Sequence, residues 1–218
     1  MDQPTFFQEA SQELLRFFEK GFVTRHLKAG EVLFAQDDFD DRLYVLDEGL
    51  LEVHVYSSSG RKLSLNLLRP ESVFGEIAMF DPGPRTAGIA AIEDSKVRWI
   101  GKKTVLDAIA DAPHLAAELM SLAGKRMRWL SEQVEQQVFL PPAARLAAKV
   151  LYLSEATGEI TMSQAQLANY VGVTREVVSK LLKEWESENL VALGRGRIKI
   201  VEKKSLENIK NAKNIKLS

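Results

Sequence analysis

The sequence contains no cysteine and only three histidines among its 218 residues. A chain without cysteine forms no disulfide, no thiolate-ligated iron–sulfur cluster and no cysteine zinc site. His26, His54 and His114 are far apart in the sequence and show no spacing that is typical of a metal or haem site. We therefore expect no metal site and no catalytic residue, because no pair of a nucleophile and a base is visible either.

An excess of charge and a long apolar run are also missing. The chain has 29 lysines and arginines against 30 aspartates and glutamates, and its pI is about 6.4. Any affinity for nucleic acid must then come from a local patch rather than from the whole chain. No stretch approaches the roughly 20 apolar residues that cross a bilayer, and the N-terminus lacks the segments of a signal peptide. We expect a cytoplasmic protein without a membrane partner.

Residues 174–188 have the periodicity of an amphipathic helix. The apolar residues recur at i, i+3, i+4 and i+7 and predict one buried stripe, formed by Val178, Leu181, Leu182 and Trp185. The opposite face carries side chains that suit base edges and phosphates, namely Arg175, Glu176, Ser179, Lys180 and Lys183. Thr174 supplies an N-cap oxygen. An ordinary helix with a solvated charged face has the same pattern, so this stretch alone leaves DNA binding open.

The preceding segment favours DNA binding. Residues 163–171 predict a shorter helix, because Ser163 and Gln166 have the spacing of a capping box. Gly172 between the two helices allows the positive φ of a tight turn. Two helices joined by a turn that contains glycine are the pattern of a helix-turn-helix.

The segment LVALGRGRIKIV after the second helix predicts a β-hairpin. Two short alternating strands flank a turn with Gly194 and Gly196. The hairpin carries basic side chains, including Lys199, and in this place it can lie as a wing on the DNA backbone. We predict double-stranded DNA as a partner, contacted by Ser163, Thr174, Arg175, Glu176, Ser179, Lys180, Lys183, Arg195 and Arg197.

From Val23 to Ile100 the hydrophobic pattern has period two. The run LEVHVY at residues 51–56 alternates apolar and polar side chains, and glycines punctuate the segments as turns. Short strands at even spacing favour an antiparallel barrel or roll. Residues 5–20 predict a short helical region before these strands, and the lysine-rich residues 203–216 predict a frayed helical end.

Residues 74–91 break the alternation with chemistry that suits a phosphate. Gly75 leads into a short apolar helical turn, whose backbone N–H groups can attract an anion. Arg85 can chelate phosphate oxygens, the hydroxyl of Thr86 adds a donor, and Glu76 can accept from a sugar hydroxyl. A surface loop with a solvated arginine and glutamate has the same residues, so both interpretations stay open on this pattern.

Pro113 begins a long helix that we expect to run to about Phe139. Residues at alternating steps of four and three predict a parallel coiled coil between two copies, with Ala116, Met120, Ala123, Met127, Leu130, Val134 and Gln137 at the seam. A second face can pack on the β-rich region through Leu115, Leu119, Leu122 and Trp129. Packing of the helix on the β-rich region of the same chain would explain its apolar residues without a second copy of the protein. We predict that it does both, and that the chain forms a homodimer through residues 113–139.

Several segments resemble the catabolite-activator (Crp–Fnr) family of bacterial transcription regulators. GEIAMF…PRTAGIAA resembles the phosphate-binding cassette of cyclic-nucleotide-binding domains, and AGEVLFAQDD…LYVLDEGLLEVHV resembles the first strands of the same β-roll. GVTREVVSKLLKEWESENLV resembles the family's helix-turn-helix. The resemblance covers nearly the whole chain in the family's order. It implies an α+β fold with an antiparallel sensor β-roll (1–112), a dimerisation helix (113–139) and a C-terminal winged helix-turn-helix DNA-binding domain (140–218).

The resemblance also implies roles for individual residues. A cyclic nucleotide, cAMP or cGMP, would bind non-covalently as the effector. Glu76 would hold the ribose 2′-hydroxyl, and Arg85 and Thr86 would hold the cyclic phosphate. The backbone of the cassette would help at Gly75, Ile77 and Ala78.

Some positions depart from the family's pattern. Leu130 and Ser131 match a pair of hydroxyl residues that contact the base, but Leu130 cannot donate or accept a hydrogen bond. Asp37 stands where the β-roll usually has a glycine. Lys180 stands where the catabolite activator has an arginine, and lysine lacks the bidentate fork. Leu130 leaves the base of the effector open and Lys180 leaves the operator sequence open, whereas we expect Asp37 to change only a turn.

The implied function is that of a ligand-responsive, homodimeric, DNA-binding transcription regulator with RNA polymerase as a further partner. An alternative is a regulator of the same fold whose sensing has diverged, so that it acts without ligand or binds another one, such as a dinucleotide or haem. A more distant alternative is a cyclic-nucleotide-processing enzyme. We expect no enzyme, because no His/Asp cluster for metal-assisted hydrolysis accompanies Glu76 and Arg85.

Overall fold

The computed structural model describes residues 22–155 and 157–211. The helical region predicted at residues 5–20 lies outside the described residues, and so does the end of the predicted segment 203–216. By its contacts the chain divides into two compact units, Met1–Leu130 and Ser131–Ser218. Each unit has hydrophobic core clusters of its own.

Eight strands of the first unit form two four-stranded sheets. The strands are β1 (Val23–Leu27), β2 (Val32–Phe34), β3 (Leu43–Glu48), β4 (Leu51–Tyr56), β5 (Lys62–Leu68), β6 (Val73–Phe74), β7 (Gly88–Ala91) and β8 (Ser95–Ile100). One sheet has the order β1-β8-β3-β6 and the other β2-β7-β4-β5, and all pairings are antiparallel. The predicted antiparallel roll is therefore confirmed.

Apolar rows of both sheets form the core of this unit, including the fully buried Leu43, Leu46, Leu51 and Leu68. Each such leucine contributes about 1.5–3 kcal/mol of burial free energy. Glu52 and His54 in the polar row of β4 are buried as well, although a period-two pattern usually leaves that row in water, and only Tyr56 at the end of the row is exposed. Glu52 accepts hydrogen bonds from Ser64 and, over 2.5 Å, from Lys62. Pairing within the sheet thus replaces solvation for Glu52, whereas the buried Nδ1 of His54 has no hydrogen-bond partner among the described residues.

The loop 35–42 between β2 and β3 lies against Arg85, in the segment before β7. Asp37 adopts φ 69°, the left-handed conformation that favours glycine. This conformation fits a position where the family usually has glycine. The Asp37 amide donates to the Arg85 carbonyl over 2.9 Å, and the Arg85 amide donates to the Asp38 carbonyl over 2.8 Å. The loop is therefore fixed to the backbone on either side of Arg85.

Three helices follow or interrupt these strands: α1 (Glu76–Phe80), α2 (Lys102–Asp111) and α3 (His114–Phe139). One face of α3 is buried within the chain, with Leu115, Leu119 and Trp129. The predicted seam residues Met120, Met127 and Val134 are 63%, 70% and 63% exposed. The two predicted faces of the helix thus differ in burial, and the seam is open in the single chain.

The second unit is a winged helix-turn-helix, as predicted. Its elements are α4 (Pro142–Ser154), β9 (Glu159–Thr161), α5 (Gln164–Val171), α6 (Arg175–Ser187), β10 (Val191–Gly194), β11 (Arg197–Ile200) and α7 (Lys203–Asn211). The sheet has the order β10-β11-β9. The core includes Leu146, Leu167, Val178, Leu182, Trp185, Ile198 and Leu206. Leu206 is fully buried, so part of the predicted frayed end is a packed helix.

Candidate functional site

A cavity of about 380 Å³ lies in the first unit. Its volume falls in the range of small-molecule sites. Seven of the eight predicted ligand residues line it: Gly75, Glu76, Ile77, Ala78, Arg85, Thr86 and Leu130. Ser131, the next residue of α3, is exposed and does not line it.

Arg85 is buried and held in a fixed orientation. Its Nη1 donates to the Gly75 carbonyl over 2.9 Å, and its Nη2 donates to the Arg42 carbonyl over 2.7 Å and to Asp40 Oδ2 over 2.9 Å. The guanidinium stacks over the ring of Phe34 at 4.4 Å. With a side chain only 3% exposed, Arg85 is a preset cation and not the solvated arginine of a surface loop.

Gly75 allows this arrangement because it has no side chain. Its φ is 91°, and a Cβ atom would lie 2.7 Å from the Arg42 carbonyl and 2.8 Å from Nη1 of Arg85. Both the backbone conformation and the close approach therefore require glycine at this position.

Glu76 is buried, and it forms an ion pair with Arg126 of α3. Arg126 also donates to the Val73 carbonyl. Arg126 was not predicted as a site residue. It precedes Leu130 by four residues, about one helical turn, and that spacing is the signal that places both on one face of α3.

Apolar side chains form the rest of the cavity wall, including Val53, Leu65, Ile89, Trp129 and Leu130. Asn66 is the uncharged amide among the lining residues. This wall can hold a flat, largely apolar group by packing and stacking. Hydrogen bonds can then come mainly from the charged lining residues Glu76 and Arg85.

The second candidate site is the outer face of α6. Arg175, Glu176, Lys180 and Lys183 are exposed, and Ser179 is half-buried. The apolar stripe is buried as predicted, with Leu181 only partly so. Thr174 is the N-cap, and its hydroxyl accepts from the Val177 amide over 3.4 Å.

The start of α5 is fixed by the predicted capping box. The Ser163 hydroxyl accepts from the Gln166 amide over 3.2 Å, and Gln166 Oε1 accepts from the Ser163 amide over 2.9 Å. Gly172 closes α5 with φ 76°. These two local features set the turn between α5 and α6.

The predicted wing is the hairpin of β10 and β11, in which Gly194 pairs with Arg197. Gly196 has φ 70° at the turn. Arg195, Arg197 and Lys199 are exposed. Within residues 22–155 and 157–211, the structure shows no ion pair for these three side chains or for the cations of α6.

Lys149 of α4 is a buried cation in the second unit, only 5% exposed. Its ammonium donates to Gln133 Oε1 over 3.0 Å and lies 4.4 Å from the centroid of the Tyr170 ring. Burial lowers the pKa of Lys149 to about 8. No sequence pattern predicts this environment, because Lys149 has no special neighbour along the chain.

No group of three or more acidic or histidine side chains that could hold a metal ion occurs among the described residues. In the same part of the chain, no helix is long and apolar enough to cross a membrane.

Comparisons with known proteins match both units. Residues 24–112 match a cyclic nucleotide-binding domain, and residues 144–209 match a Crp-like helix-turn-helix domain. The cyclic AMP receptor protein of Thermus thermophilus is 29% identical over 190 residues, which are 86% of this chain and 88% of the relative. A CRP-like cAMP-activated global transcriptional regulator of Mycobacterium tuberculosis is 27% identical over 173 residues, 75% of this chain and 77% of the relative.

A solved structure, that of a CRP/FNR-family transcriptional regulator from Thermus thermophilus, has a TM-score of 0.75 at 25% identity. The match covers 88% of this chain and 100% of the solved chain. The helix-turn-helix domain and the named relatives are those of transcription regulators and not of enzymes. With a cyclic nucleotide-binding domain followed by a Crp-like helix-turn-helix domain, the chain belongs to the Crp–Fnr family of DNA-binding transcription regulators.

Proposed function

We propose that this regulator is a homodimer whose first unit binds a cyclic nucleotide, cAMP or cGMP, and whose second unit binds an operator in response. One observation carries the proposal: Glu76, Arg85 and Thr86 line the same cavity of about 380 Å³. Relatives named as a cyclic AMP receptor and as a cAMP-activated regulator support this ligand class.

In the proposed complex, Glu76 accepts a hydrogen bond from the ribose 2′-hydroxyl. Arg85 and Thr86 hold the cyclic phosphate, together with the backbone of Gly75, Ile77 and Ala78. Leu130 contributes only apolar contact to the base, and Ser131 is the one hydroxyl at the matching pair of positions. Recognition of the base then depends more on packing than on hydrogen bonds from this pair.

The exposed seam of α3 supports the homodimer. Its side chains repeat at the spacing of a coiled coil, and Met120, Met127 and Val134 are more than half exposed in the single chain. Pairing of two such helices through residues 113–139 would bury this row. In our proposal the segments 1–112, 113–139 and 140–218 serve as sensor, dimerisation helix and DNA-binding domain.

For the DNA complex we propose that α6 enters the major groove. Arg175, Glu176 and Lys180 contact base edges. The remaining predicted contacts go mainly to the backbone, from Ser163, Thr174, Ser179, Lys183, Arg195 and Arg197. In a dimer the two α6 helices read half-sites one DNA turn apart, about 34 Å. RNA polymerase is the further partner that a transcription regulator needs.

A regulator with diverged sensing is the second candidate. Leu130 favours it, because a leucine at a base-contacting position removes a polar contact. Such a protein would bind DNA without a cyclic nucleotide or respond to another small molecule.

Calorimetric titration of the full chain with cAMP and with cGMP tests the proposal. We expect binding by at least one nucleotide, weakened about tenfold or more in Arg85→Lys, which loses the fork, and less in Thr86→Val. Arg61→Lys, at an exposed arginine in the turn after β4, is the matched control and should bind as the wild type does. Absence of binding by both nucleotides, with DNA binding intact, would favour diverged sensing.

A further inference from the structure

The proposed phosphate ligand Arg85 already has an acidic partner inside the chain. Nη2 of Arg85 lies 2.9 Å from Oδ2 of Asp40. The side chain of Asp40 is 14% exposed, so solvent screens the pair much less than a surface ion pair. Asp40 does not line the cavity, whereas Arg85 does. The carboxylate therefore touches the guanidinium without occupying the ligand's space.

Other hydrogen bonds fix the Asp40 carboxylate in this position. The Tyr44 hydroxyl donates to Oδ2 over 2.7 Å, and the Arg42 amide donates to Oδ1 over 3.1 Å. Burial raises the pKa of Asp40, but the hydrogen bonds from Tyr44 and Arg85 outweigh it and keep that pKa below the usual range. Asp40 is thus an anion at neutral pH.

The other cation of the cavity is neutralised in the same way, since Arg126 is paired with Glu76. The charged end of the cavity therefore combines two arginines with two carboxylates: Arg85 and Arg126 with Asp40 and Glu76. Arg42, whose side chain is 45% exposed, lies 3.6 Å from the other oxygen of Asp40 and is screened by solvent. An anionic ligand therefore meets donors whose positive charge is largely balanced by carboxylates. The buried Nε of Arg85 has no hydrogen-bond partner among the described residues.

We propose that Asp40 is a specificity-determining residue that lowers the affinity of this cavity for anionic ligands by serving as an internal counter-ion of Arg85. The inference rests on the proposed function, because it concerns the ligand of the same cavity. Asp40 acts through Arg85 and touches no ligand itself. Two anions held roughly 7 Å apart across a guanidinium, at an effective dielectric constant of about 20, repel enough to weaken binding by about tenfold to fiftyfold.

A positioning role makes the opposite prediction. If Asp40 mattered only because it orients the guanidinium, its replacement would weaken the binding of every ligand that contacts Arg85. If the charge of Asp40 matters, its removal instead strengthens the binding of anionic ligands and leaves that of uncharged ligands unchanged. Comparison of an anionic ligand with an uncharged one therefore separates the two roles.

The experiment measures the affinity of the full chain for cAMP and for its uncharged methyl ester. Asp40→Asn keeps the size and a hydrogen-bond acceptor but removes the charge, and Asp40→Glu keeps the charge. Asp41→Asn removes the same charge from the neighbouring exposed residue and is the matched control. Circular dichroism melting checks that each variant is folded.

We expect Asp40→Asn to bind cAMP at least about tenfold more tightly than the wild type, with less than about a twofold change for the ester. Asp40→Glu and Asp41→Asn should bind both ligands as the wild type does. Unchanged or weaker cAMP binding by Asp40→Asn would overturn the proposal. An equal gain for cAMP and for the ester would overturn it too, because the effect would not depend on ligand charge.

If no variant binds cAMP or cGMP, the proposed function fails, and inorganic phosphate then decides the inference by itself. The Nε–H signal of Arg85 in an NMR spectrum, assigned by its loss in Arg85→Lys, reports anion binding at this side chain. It should respond to phosphate at about tenfold lower concentration in Asp40→Asn than in the wild type. Equal responses would overturn the inference.

Discussion

The two units use arginine in opposite ways. In the first unit Arg85 is buried, has three protein acceptors and pairs with Asp40. In the second unit Arg175, Arg195 and Arg197 are exposed, and no ion pair holds them within the described residues. A buried cation with fixed partners can recognise one small anion by geometry, whereas exposed cations can adapt to a long polyanion.

The same difference sets how each unit responds to salt. Charges in the cavity interact at low effective dielectric and are poorly screened. Charges on α6 and the wing lie in water, and their binding to DNA depends on released counterions. Ligand affinity should thus vary little with ionic strength, while DNA affinity should fall steeply.

Replacement of one arginine in each unit gives the largest expected contrast. Arg85→Ala leaves the largely buried carboxylate of Asp40 with only the exposed Arg42 as a nearby cation, which costs about 3 kcal/mol of unfolding free energy. Arg175→Ala removes an exposed side chain and should change stability by less than about 0.5 kcal/mol. Urea unfolding followed by circular dichroism measures both. Equal stabilities of the two variants would show that the Arg85 pair is no more than a surface contact.

Lys149 is an exception to this contrast between buried and exposed cations, because it is a buried cation of the second unit. Its acceptor is an amide instead of a carboxylate. Its folded pKa of about 8 lies below the ordinary lysine value of 10.5. Between these two values the unfolded state binds more protons than the folded state, so stability should rise with pH there, by about 3 kcal/mol in total. Below pH 8 Lys149 should not contribute to the pH dependence of the free energy of unfolding.

Denaturant titrations between pH 7.5 and pH 10.5 test this prediction, with Lys149→Met as the variant. That variant should lose the rise, while Lys204→Met, at an exposed lysine, should keep it. A rise that persists in Lys149→Met would assign it to another group.

Among the exposed arginines of the second unit, Arg175 and Arg195 should contribute to DNA binding in different ways. Arg175→Ala should cost about 1–3 kcal/mol at one base position of the operator. Arg195→Ala should weaken binding to all sequences alike and reduce the slope of log affinity against log salt by about 1. Fluorescence anisotropy with a selected site and a scrambled duplex measures both. Equal losses of Arg175→Ala on the two duplexes would rule out base readout by this residue.

The smallest expected effect concerns the local geometry that presents the exposed cations. Ser163→Ala removes the capping box of α5 and should lower the free energy of unfolding by about 1 kcal/mol. Ser163→Thr keeps the hydroxyl and should stay within a few tenths of the wild type. Thermal unfolding measures both, and an unchanged melting temperature for Ser163→Ala would mean that packing alone fixes the start of the helix.

Local sequence signals predicted the second unit well. The stripe of α6, the capping box at Ser163 and the glycine turn at Gly172 each depend on residues within one or two helical turns. Such signals fix which side chains are exposed, because helical periodicity decides it. The strand order of the two sheets, in contrast, does not follow from alternation, which gives only the face of each side chain.

The cavity was predicted only in part. Gly75, Glu76, Arg85 and Thr86 belong to one contiguous segment, whose chemistry and family resemblance mark it. The partners of its charges come from distant segments: Asp40 lies 45 residues before Arg85. Pairing across such distances depends on how the strands meet, and no periodicity encodes it.

The exposed tip of the hairpin has a further consequence for the sensitivity of the protein to proteases. Arg195 stands in the turn before Gly196, and both residues are open to solvent. Proteases that cleave after arginine prefer such tips of exposed turns. A bound duplex lying on the wing would shield that peptide bond, so its resistance to trypsin can report occupancy without any label. By the same reasoning, trypsin should cleave this peptide bond faster in the free regulator than in the DNA-bound one.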